Sequence, residues 1–281
     1  MKRQAGMFVL CMFAAVAAPL AGEVPVYQAE LLARFDAADA RQGVAADAGH
    51  FYATNNYSIT KHSKLDGSEV MRWTGRAEGE PLIHLDSLAE YQGRLYAAHS
   101  NYPIWPMTSS VEVWDAVTLE HVATHSFGIY RGSFTWLDRH DGYWWGAFAN
   151  YDKIQDGQTE PYGHTRRTQV VQMDDHFAVL QSWVIPDGIL ERISPMSNSG
   201  GSWGPDGLLY LTGHDHGETY VMRIPEAGSV LQWIATVEIP LMEGQGIAWD
   251  RSSNDRILWA IQKKGRIVVQ IAMPEIPHAR P

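Results

Sequence analysis

A short pattern that returns five times restricts what this chain can fold into. In each copy, a turn ending in Gly or Asp is followed by an apolar residue, an aromatic ring residue and a small or apolar residue. The ring residues follow one another at intervals of 44, 49, 65 and 49, and they are Tyr52, Tyr96, Trp145, Tyr210 and Trp259. Four-stranded β-propeller blades repeat about every 40–50 residues. The pattern therefore predicts an all-β fold, a five-bladed β-propeller.

The long third interval leaves a second blade number open. A polar insertion at residues 153–167 fills it, and a sixth blade would need extra strands within that insertion. A β-sandwich would also contain hairpins of this kind. Five copies of the pattern in register favour the propeller over the sandwich.

Each repeat is predicted to form four strands, A to D, joined by turns. In the first repeat they fall at residues 43–47, 50–54, 58–63 and 69–73, and in the fourth at 201–204, 208–213, 219–224 and 231–238. The fifth repeat ends after its strand C at residues 266–271, whereas an unmatched strand-like segment at 26–35 precedes the first repeat. If that N-terminal strand is strand D of the last blade, it closes the ring and removes an exposed strand edge.

Residues 1–22 are typical of a secretory signal peptide, which leaves residues 23–281 as a single propeller domain. Lys2 and Arg3 precede an apolar run that is too short for a typical membrane span. Cleavage, expected between residues 17 and 22, removes Cys11, the only cysteine. We therefore expect a periplasmic or secreted bacterial protein without disulfides.

The charge of the chain argues against several classes of partner. A net charge of −10 and a pI near 5.6 give no basic footprint for nucleic acid. No later segment is long and apolar enough to span a bilayer, so no membrane insertion is expected after signal cleavage. The sequence contains no nucleophile elbow, phosphate loop or dinucleotide fingerprint. We expect a monomer that binds a small molecule, and no redox cofactor.

Propeller geometry predicts that the functional residues share one face. The A strands run parallel around the axis, and they begin on the face where the B-to-C loops open. Imidazole titrates near neutral pH, which makes three histidines there the candidate catalytic residues: His84, His99 and His214. The candidate substrate-binding residues are Arg131, Gln42, Asn101, Asn150 and Gln245, and the fork of Arg131 suits a carboxylate. The turns on the opposite face are tight glycine turns and predict only a structural role.

Several further groups on this face have both a structural and a functional interpretation. Carboxylates near the axis are Asp86 and Glu243, and aromatic side chains that either wall a pocket or pack between blades are Tyr102, Trp105 and Trp203. A His-Asp-His run at 214–216 keeps a divalent metal in the central channel possible, with unknown ligands. The glycines near the axis either permit close strand packing or expose main-chain N–H groups to a ligand: Gly43, Gly132, Gly200 and Gly246.

Four sequence runs together resemble bacterial propeller proteins often labelled cycloisomerase: HSNYP at 99–103, HSFG at 125–128, SGGSWGPDG at 199–207 and GQGIAWD at 244–250. The resemblance covers most of the mature chain. It implies kinship with lactonising propeller enzymes, which close a muconate-type diacid into a lactone with His, Arg and acidic residues on the propeller face. The sequence also resembles, more distantly, the five-bladed glutaminyl cyclases, and the pairs Gln42-Gly43 and Gln245-Gly246 are the residues that suggest this second resemblance.

The sequence therefore supports alternative functions for one face. A cyclase- or isomerase-type enzyme would hold a carboxylate on Arg131 and move a proton with His84 or His99. A non-catalytic periplasmic propeller would bind a ligand or peptide there, and a glutaminyl-cyclase-like enzyme is the third alternative. The fold does not choose among them, because propellers host both catalysis and binding.

Overall fold

A computed structural model describes residues 23–75, 81–155, 157–161 and 163–277, so the predicted signal peptide lies outside the described residues. Two strands come first, β1 (Val26–Gln28) and β2 (Glu30–Asp36). The first blade contains β3 (Gly43–Ala46), β4 (His50–Thr54), β5 (Ser58–Ser63) and β6 (Glu69–Thr74). The second contains β7 (Leu85–Tyr91), β8 (Arg94–Ser100), β9 (Ser109–Asp115) and β10 (His121–Gly128).

The third blade contains β11 (Ser133–His140), β12 (Tyr143–Ala149), β13 (Gln169–Met173) and β14 (Val179–Val184), and helix α1 (Asp187–Ile193) follows it. The fourth contains β15 (Gly200–Trp203), β16 (Leu209–Thr212), β17 (Glu218–Arg223) and β18 (Gln232–Glu238). The fifth begins with β19 (Ala248–Trp249), β20 (Ile257–Gln262) and β21 (Ile267–Ala272). Within the described ranges no helix is long and apolar enough to cross a membrane.

The sheet topology confirms the five-bladed propeller. Five separate sheets follow one another along the chain, each with its first strand at one edge. In the described part of the insertion at 153–167, the only regular structure is an isolated bridge between Ile154 and Pro161 and a 3-10 turn at Thr165–Arg167. This insertion adds no sixth blade. Helix α1 was not predicted, and it packs Ile189, Leu190 and Ile193 into the core between the third and fourth blades.

The N-terminal strand closes the ring, as predicted. Strand β2 pairs antiparallel with β21, with Phe35 opposite Val268, and it supplies the fourth strand of the fifth blade. The prediction of one continuous strand over 26–35 is wrong, because the chain crosses at Ala29 from one blade to the next. Strand β1 instead pairs parallel with β18 and adds a fifth strand to the fourth blade. The N-terminal segment therefore joins two blades.

The recurring ring residues pack neighbouring blades together. Tyr52 lies among Leu88 and Leu95 of the second blade, and Tyr210 lies among Val269 and Ile271 of the fifth. Both rings are fully buried, and fully burying a large apolar side chain stabilises a fold by roughly 1.5–3 kcal/mol. Their hydroxyls donate hydrogen bonds to carboxylates in the preceding turns, Asp47 at 2.6 Å and Asp206 at 2.8 Å.

The strands nearest the axis approach one another backbone to backbone. A Cβ on Gly43 would lie 2.7 Å from the Ser87 Cα, and a Cβ on Gly246 would lie 2.8 Å from the Gly43 Cα. No side chain fits at such distances. Close packing therefore explains these two glycines. The residues that begin each A strand converge as a result on one end of the axis, which we call the mouth.

Candidate functional site

Two of the predicted histidines meet at the mouth in the second blade. His84 immediately precedes β7, and His99 lies near the end of the neighbouring strand β8. The Ser100 N–H donates to the His84 carbonyl at 3.1 Å, and the Ile83 N–H donates to Nε2 of His99 at 3.3 Å. These main-chain bonds fix both residues on the same edge of the blade.

A β-bulge turns Asp86 toward His84. Leu85 pairs with His99 but Leu88 pairs with Ala97, so β7 contains one more residue than its partner over this stretch. Bulges of this kind re-aim side chains and are common beside active sites. The result is a distance of 3.6 Å between Nε2 of His84 and Oδ2 of Asp86.

In the His84–Asp86 pair the carboxyl is buried, the His84 side chain is 13% exposed, and the hydrogen-bonding capacity is only partly used. The Asp86 residue is 4% exposed, and its Oδ2 accepts no hydrogen bond from the described residues. Burial raises the pKa of Asp86 well above its usual value. Burial, together with the nearby His99 and His214, lowers the pKa of His84 to about 4. Burial therefore disfavours the charged form of both groups, the imidazolium of His84 and the carboxylate of Asp86.

His99 plays a different part because hydrogen bonds occupy both of its ring nitrogens. Nε2 accepts from Ile83, so the proton is assigned to Nδ1, which donates to the Ser110 hydroxyl at 2.9 Å. Ser110 in turn donates to Glu112 at 2.6 Å, and the other oxygen of Glu112 lies 2.8 Å from Nε2 of His121. Burial lowers the pKa of His99 to about 4. In this structure His99 is a neutral, anchored ring beside His84.

Three other predicted residues line a separate cavity at the mouth. His214, Gln42 and Gln245 border a space of about 460 Å³ that also receives four basic side chains, Arg41, Lys263, Lys264 and Arg266. Nδ1 of His214 lies 2.8 Å from the Asp215 carboxylate, which Lys263 also contacts at 2.6 Å. Burial, with Lys263 as a smaller cause, lowers the pKa of His214. The Gln42 amide donates to Asn56 at 2.5 Å.

The contacts of the remaining predicted residues do not include the side chains of His84 and Asp86. The Asn150 amide donates to the main-chain carbonyls of Arg131 and Arg167 at 3.2 and 3.3 Å. Asn101 bonds within its own loop, donating to the Pro106 carbonyl at 2.9 Å and accepting from the Thr108 N–H at 2.7 Å. The Arg131 guanidinium lies 5.6 Å from the Phe148 ring and borders an outer cavity of about 550 Å³.

Aromatic side chains pack beside His84, and one of them, Tyr102, is hydrogen-bonded to a lysine. The Tyr102 ring lies 5.2 Å from both the His84 and the Tyr151 rings. Nζ of Lys153 donates to the Tyr102 hydroxyl at 3.3 Å. The sequence identified Tyr102 but missed Lys153, because it lies in an insertion that no repeat aligns. For Trp203 the sequence left open a pocket wall or packing between blades; its ring stacks on His140 of the third blade with 4.1 Å between the ring centroids, which is packing between blades.

The described residues do not contain a cluster of side chains suited to binding a metal ion. Among the residues that the structure describes, no three or more His, Cys, Asp or Glu side chains are grouped so that they could hold a metal ion. His216 approaches Glu218 at 4.0 Å rather than joining His214 at a common centre.

The turns at the end of the channel opposite the mouth predicted only a structural role, but the structure has a cavity with charged side chains there. A cavity of about 210 Å³ there is bordered by residues of all five A strands, among them Glu90 and Asp138, and by Arg251 from the loop after β19. Asp138 is 2% exposed and lies 2.7 Å from Nη2 of Arg251. The short turns did not reveal this pair, since its members are 113 residues apart in the sequence.

Comparison with known proteins identifies the fold and not the family. No protein-family model matches the chain, and no curated protein matches it. Among solved structures, glutaminyl cyclase of Myxococcus xanthus is similar with a TM-score of 0.58 at 15% identity, over 89% of this chain and 97% of that one. A PQQ-bound aldose sugar dehydrogenase of Streptomyces coelicolor has a TM-score of 0.48 at 14% identity, over 84% of this chain and 78% of that one. The chain is thus a five-bladed propeller distantly similar in structure to glutaminyl cyclase.

Proposed function

We propose that the protein is an isomerase- or cyclase-type enzyme that moves a proton within a small carboxylate-bearing molecule bound at the mouth. The observation that carries this proposal is the buried His84–Asp86 pair, 3.6 Å apart, with one carboxyl oxygen left without a hydrogen bond. An unsatisfied buried carboxyl is unfavourable for stability. Groups with strongly perturbed pKa values in a cleft are frequent at catalytic sites.

The pair suits reactions that need one proton and no electrons. In the uncharged forms that burial favours, the His84 imidazole would accept a proton and the Asp86 carboxyl would donate one. Ring closure by addition of a carboxylate oxygen to a carbon–carbon double bond forms one C–O bond and one C–H bond, and it consumes one proton. Asp86 would supply that proton and regain it from solvent through His84. Such a reaction involves no redox step.

Basic side chains around the mouth would attract the carboxylate. Lys153 lies over the Tyr102 ring, with its Nζ 5.9 Å from the ring centroid, and Tyr102 contacts His84. Arg131 stands farther out on the rim, and the structure gives it no ion pair within the described chain. In a protein with a net charge of −10, such a local positive area concentrates anions at the mouth.

The test is a substrate screen with product detection. The purified protein is screened against carboxylate-bearing metabolites by thermal shift, and each hit is incubated and analysed by mass spectrometry. We expect His84→Gln and Asp86→Asn to lower turnover at least about 100-fold, the usual contribution of acid–base catalysis. His176→Gln is the matched control, since His176 lies in an exposed turn after β13. Binding without any product would favour a non-catalytic ligand- or peptide-binding propeller, and full activity of both mouth variants would refute the assignment.

A glutaminyl-cyclase-like activity is a second candidate. Gln42 and Gln245, the residues of the two Gln-Gly pairs, border one cavity at the mouth, and the Gly246 N–H donates to the Gln42 carbonyl at 2.8 Å. A peptide with an N-terminal glutamine therefore belongs in the same screen. Export to the periplasm or medium is a further part of this proposal, and N-terminal sequencing of the exported protein would test it.

A further inference from the structure

The cavity at the far end of the channel contains a positive and a negative group with unused hydrogen-bonding capacity. Arg251 uses Nη2 to bind Asp138 at 2.7 Å, while Nε and Nη1 have no hydrogen-bond partner among the described residues. Glu90 uses Oε1 to accept from the Gly93 N–H at 2.8 Å, while Oε2 has no such partner. No ion pair joins Glu90 to Arg251 within the described chain, although both border the cavity.

Arg251 is held rigidly in place. Its partner Asp138 also accepts from the Ser202 hydroxyl at 2.9 Å and from the Trp203 N–H at 2.8 Å. An Arg anchored by one nitrogen keeps its remaining donors in a fixed plane, which suits recognition of a carboxylate. The side chain is 46% exposed, so a ligand can reach these donors from solvent.

The Glu90 side of the cavity favours a cation. Burial raises the pKa of Glu90 and the nearby Asp47 adds to that rise, whereas the Gly93 N–H and Arg251 act in the opposite direction. An ammonium group beside the unpartnered Oε2 would stabilise the ionised form of Glu90.

Much of the rest of the cavity lining is apolar, and the cavity is small. The lining includes Leu88, Leu137, Ile247 and Trp249, all buried. The volume of about 210 Å³ is below the range of roughly 300–1,000 Å³ that is usual for drug-sized ligands. A ligand that fits all these conditions has a carboxylate, an ammonium group and a short apolar side chain.

We propose that this cavity, which we call the basal site, binds a free amino acid with an apolar side chain. Its carboxylate pairs with Arg251, its ammonium group with Glu90, and its side chain packs against Leu88 and Leu137. The basal site lies at the end of the channel opposite the mouth, and it does not depend on the function proposed for His84 and Asp86.

Calorimetry with L-leucine as the probe tests the basal site. We expect L-leucine to bind, and 3-methylbutylamine and N-acetyl-L-leucine, which each lack one charge, to bind about 10- to 100-fold more weakly. Glu90→Gln and Arg251→Gln should each weaken L-leucine binding by a similar factor. The matched controls are Glu30→Gln and Arg34→Gln, two exposed residues of strand β2, which should leave binding unchanged.

Two features of this design separate the basal site from its alternatives. If Arg251→Gln fails to fold because Asp138 loses its partner, Glu90→Gln decides, since Glu90 is only partly buried and keeps its Gly93 bond in the amide form. No binding of L-leucine at millimolar concentration would overturn the proposal. Equal affinities for L-leucine and 3-methylbutylamine would also overturn it. So would a result in which His84→Gln loses L-leucine binding while Glu90→Gln keeps it.

Discussion

Replacing Phe35 by Ala tests whether the ring depends on closure by its N-terminal strand. Phe35 lies on β2, and its ring is 5.1 Å from Phe51 in the first blade and 5.9 Å from Trp259 in the fifth. Phe-to-Ala changes in a core cost about 3–5 kcal/mol. Because Phe35 is only partly buried, we expect about half of that, roughly 2 kcal/mol. At about 2–4 °C per kcal/mol for a chain of this size, Tm should fall by about 4–8 °C.

The assay is thermal unfolding followed by circular dichroism and by tryptophan fluorescence. Both signals should shift together, because a closed ring unfolds cooperatively and weaker packing at the closure destabilises all the blades at once. Leu32→Ala in the same strand is the control; Leu32 is 51% exposed, so its loss should change stability by less than about 0.5 kcal/mol. Equal effects of the two variants, or a separate early transition in one signal only, would refute this account of ring closure.

Two further perturbations test the histidine environment and the axis. The pKa of His99 is about 4 in the folded protein, against 6.5 for an ordinary histidine. Between these two pH values only the unfolded chain binds the proton, so the folding stability that is present above pH 6.5 is lost as pH falls toward 4. Tm of the wild type should therefore fall across this window, and His99→Gln should flatten the slope; equal slopes would contradict the burial argument. Gly246→Ala should cost about 1–3 kcal/mol or more, because its Cβ would lie 2.8 Å from the Gly43 Cα. Gly49→Ala should be nearly neutral in chemical denaturation, because its Cβ would meet only Asp47 Oδ1, at the ordinary contact distance of 4.0 Å.

Local sequence was sufficient for the architecture. Each ring residue, such as Tyr52 or Tyr210, marks a strand that is buried against the next blade, and its spacing counts blades because each blade repeats the same short-range hairpins. The closing strand was predictable for the same reason: an incomplete last blade needs one more strand. The crossing at Ala29 was not predictable, because the parallel pairing of β1 with β18 joins segments about 210 residues apart.

The candidate site was only partly predictable. Sequence order placed His84, His99, His214 and Gln245 at the starts of A strands or in B-to-C loops. The fold brings the three histidines close enough for His99 and His214 to lower the pKa of His84, and it places His214 and Gln245 on one cavity. The sequence also marked Asp86 as a carboxylate near the axis. What the sequence did not contain was the bulge that aims Asp86 at His84, or the hydrogen bonds that occupy both nitrogens of His99.

The sequence by itself favoured five blades and located most of their strands, because blade spacing and strand alternation are patterns of nearby residues. The sheets of the folded chain excluded a sixth blade and divided the N-terminal segment into two strands. Tertiary structure alone decided which charges are buried, which are paired and which are left unsatisfied. Burial and pairing depend on atoms brought together from distant blades, as Arg251 is brought to Asp138 and Lys153 to Tyr102. The chemistry of both ends of the channel rests on those long-range contacts, which no repeat in the sequence encodes.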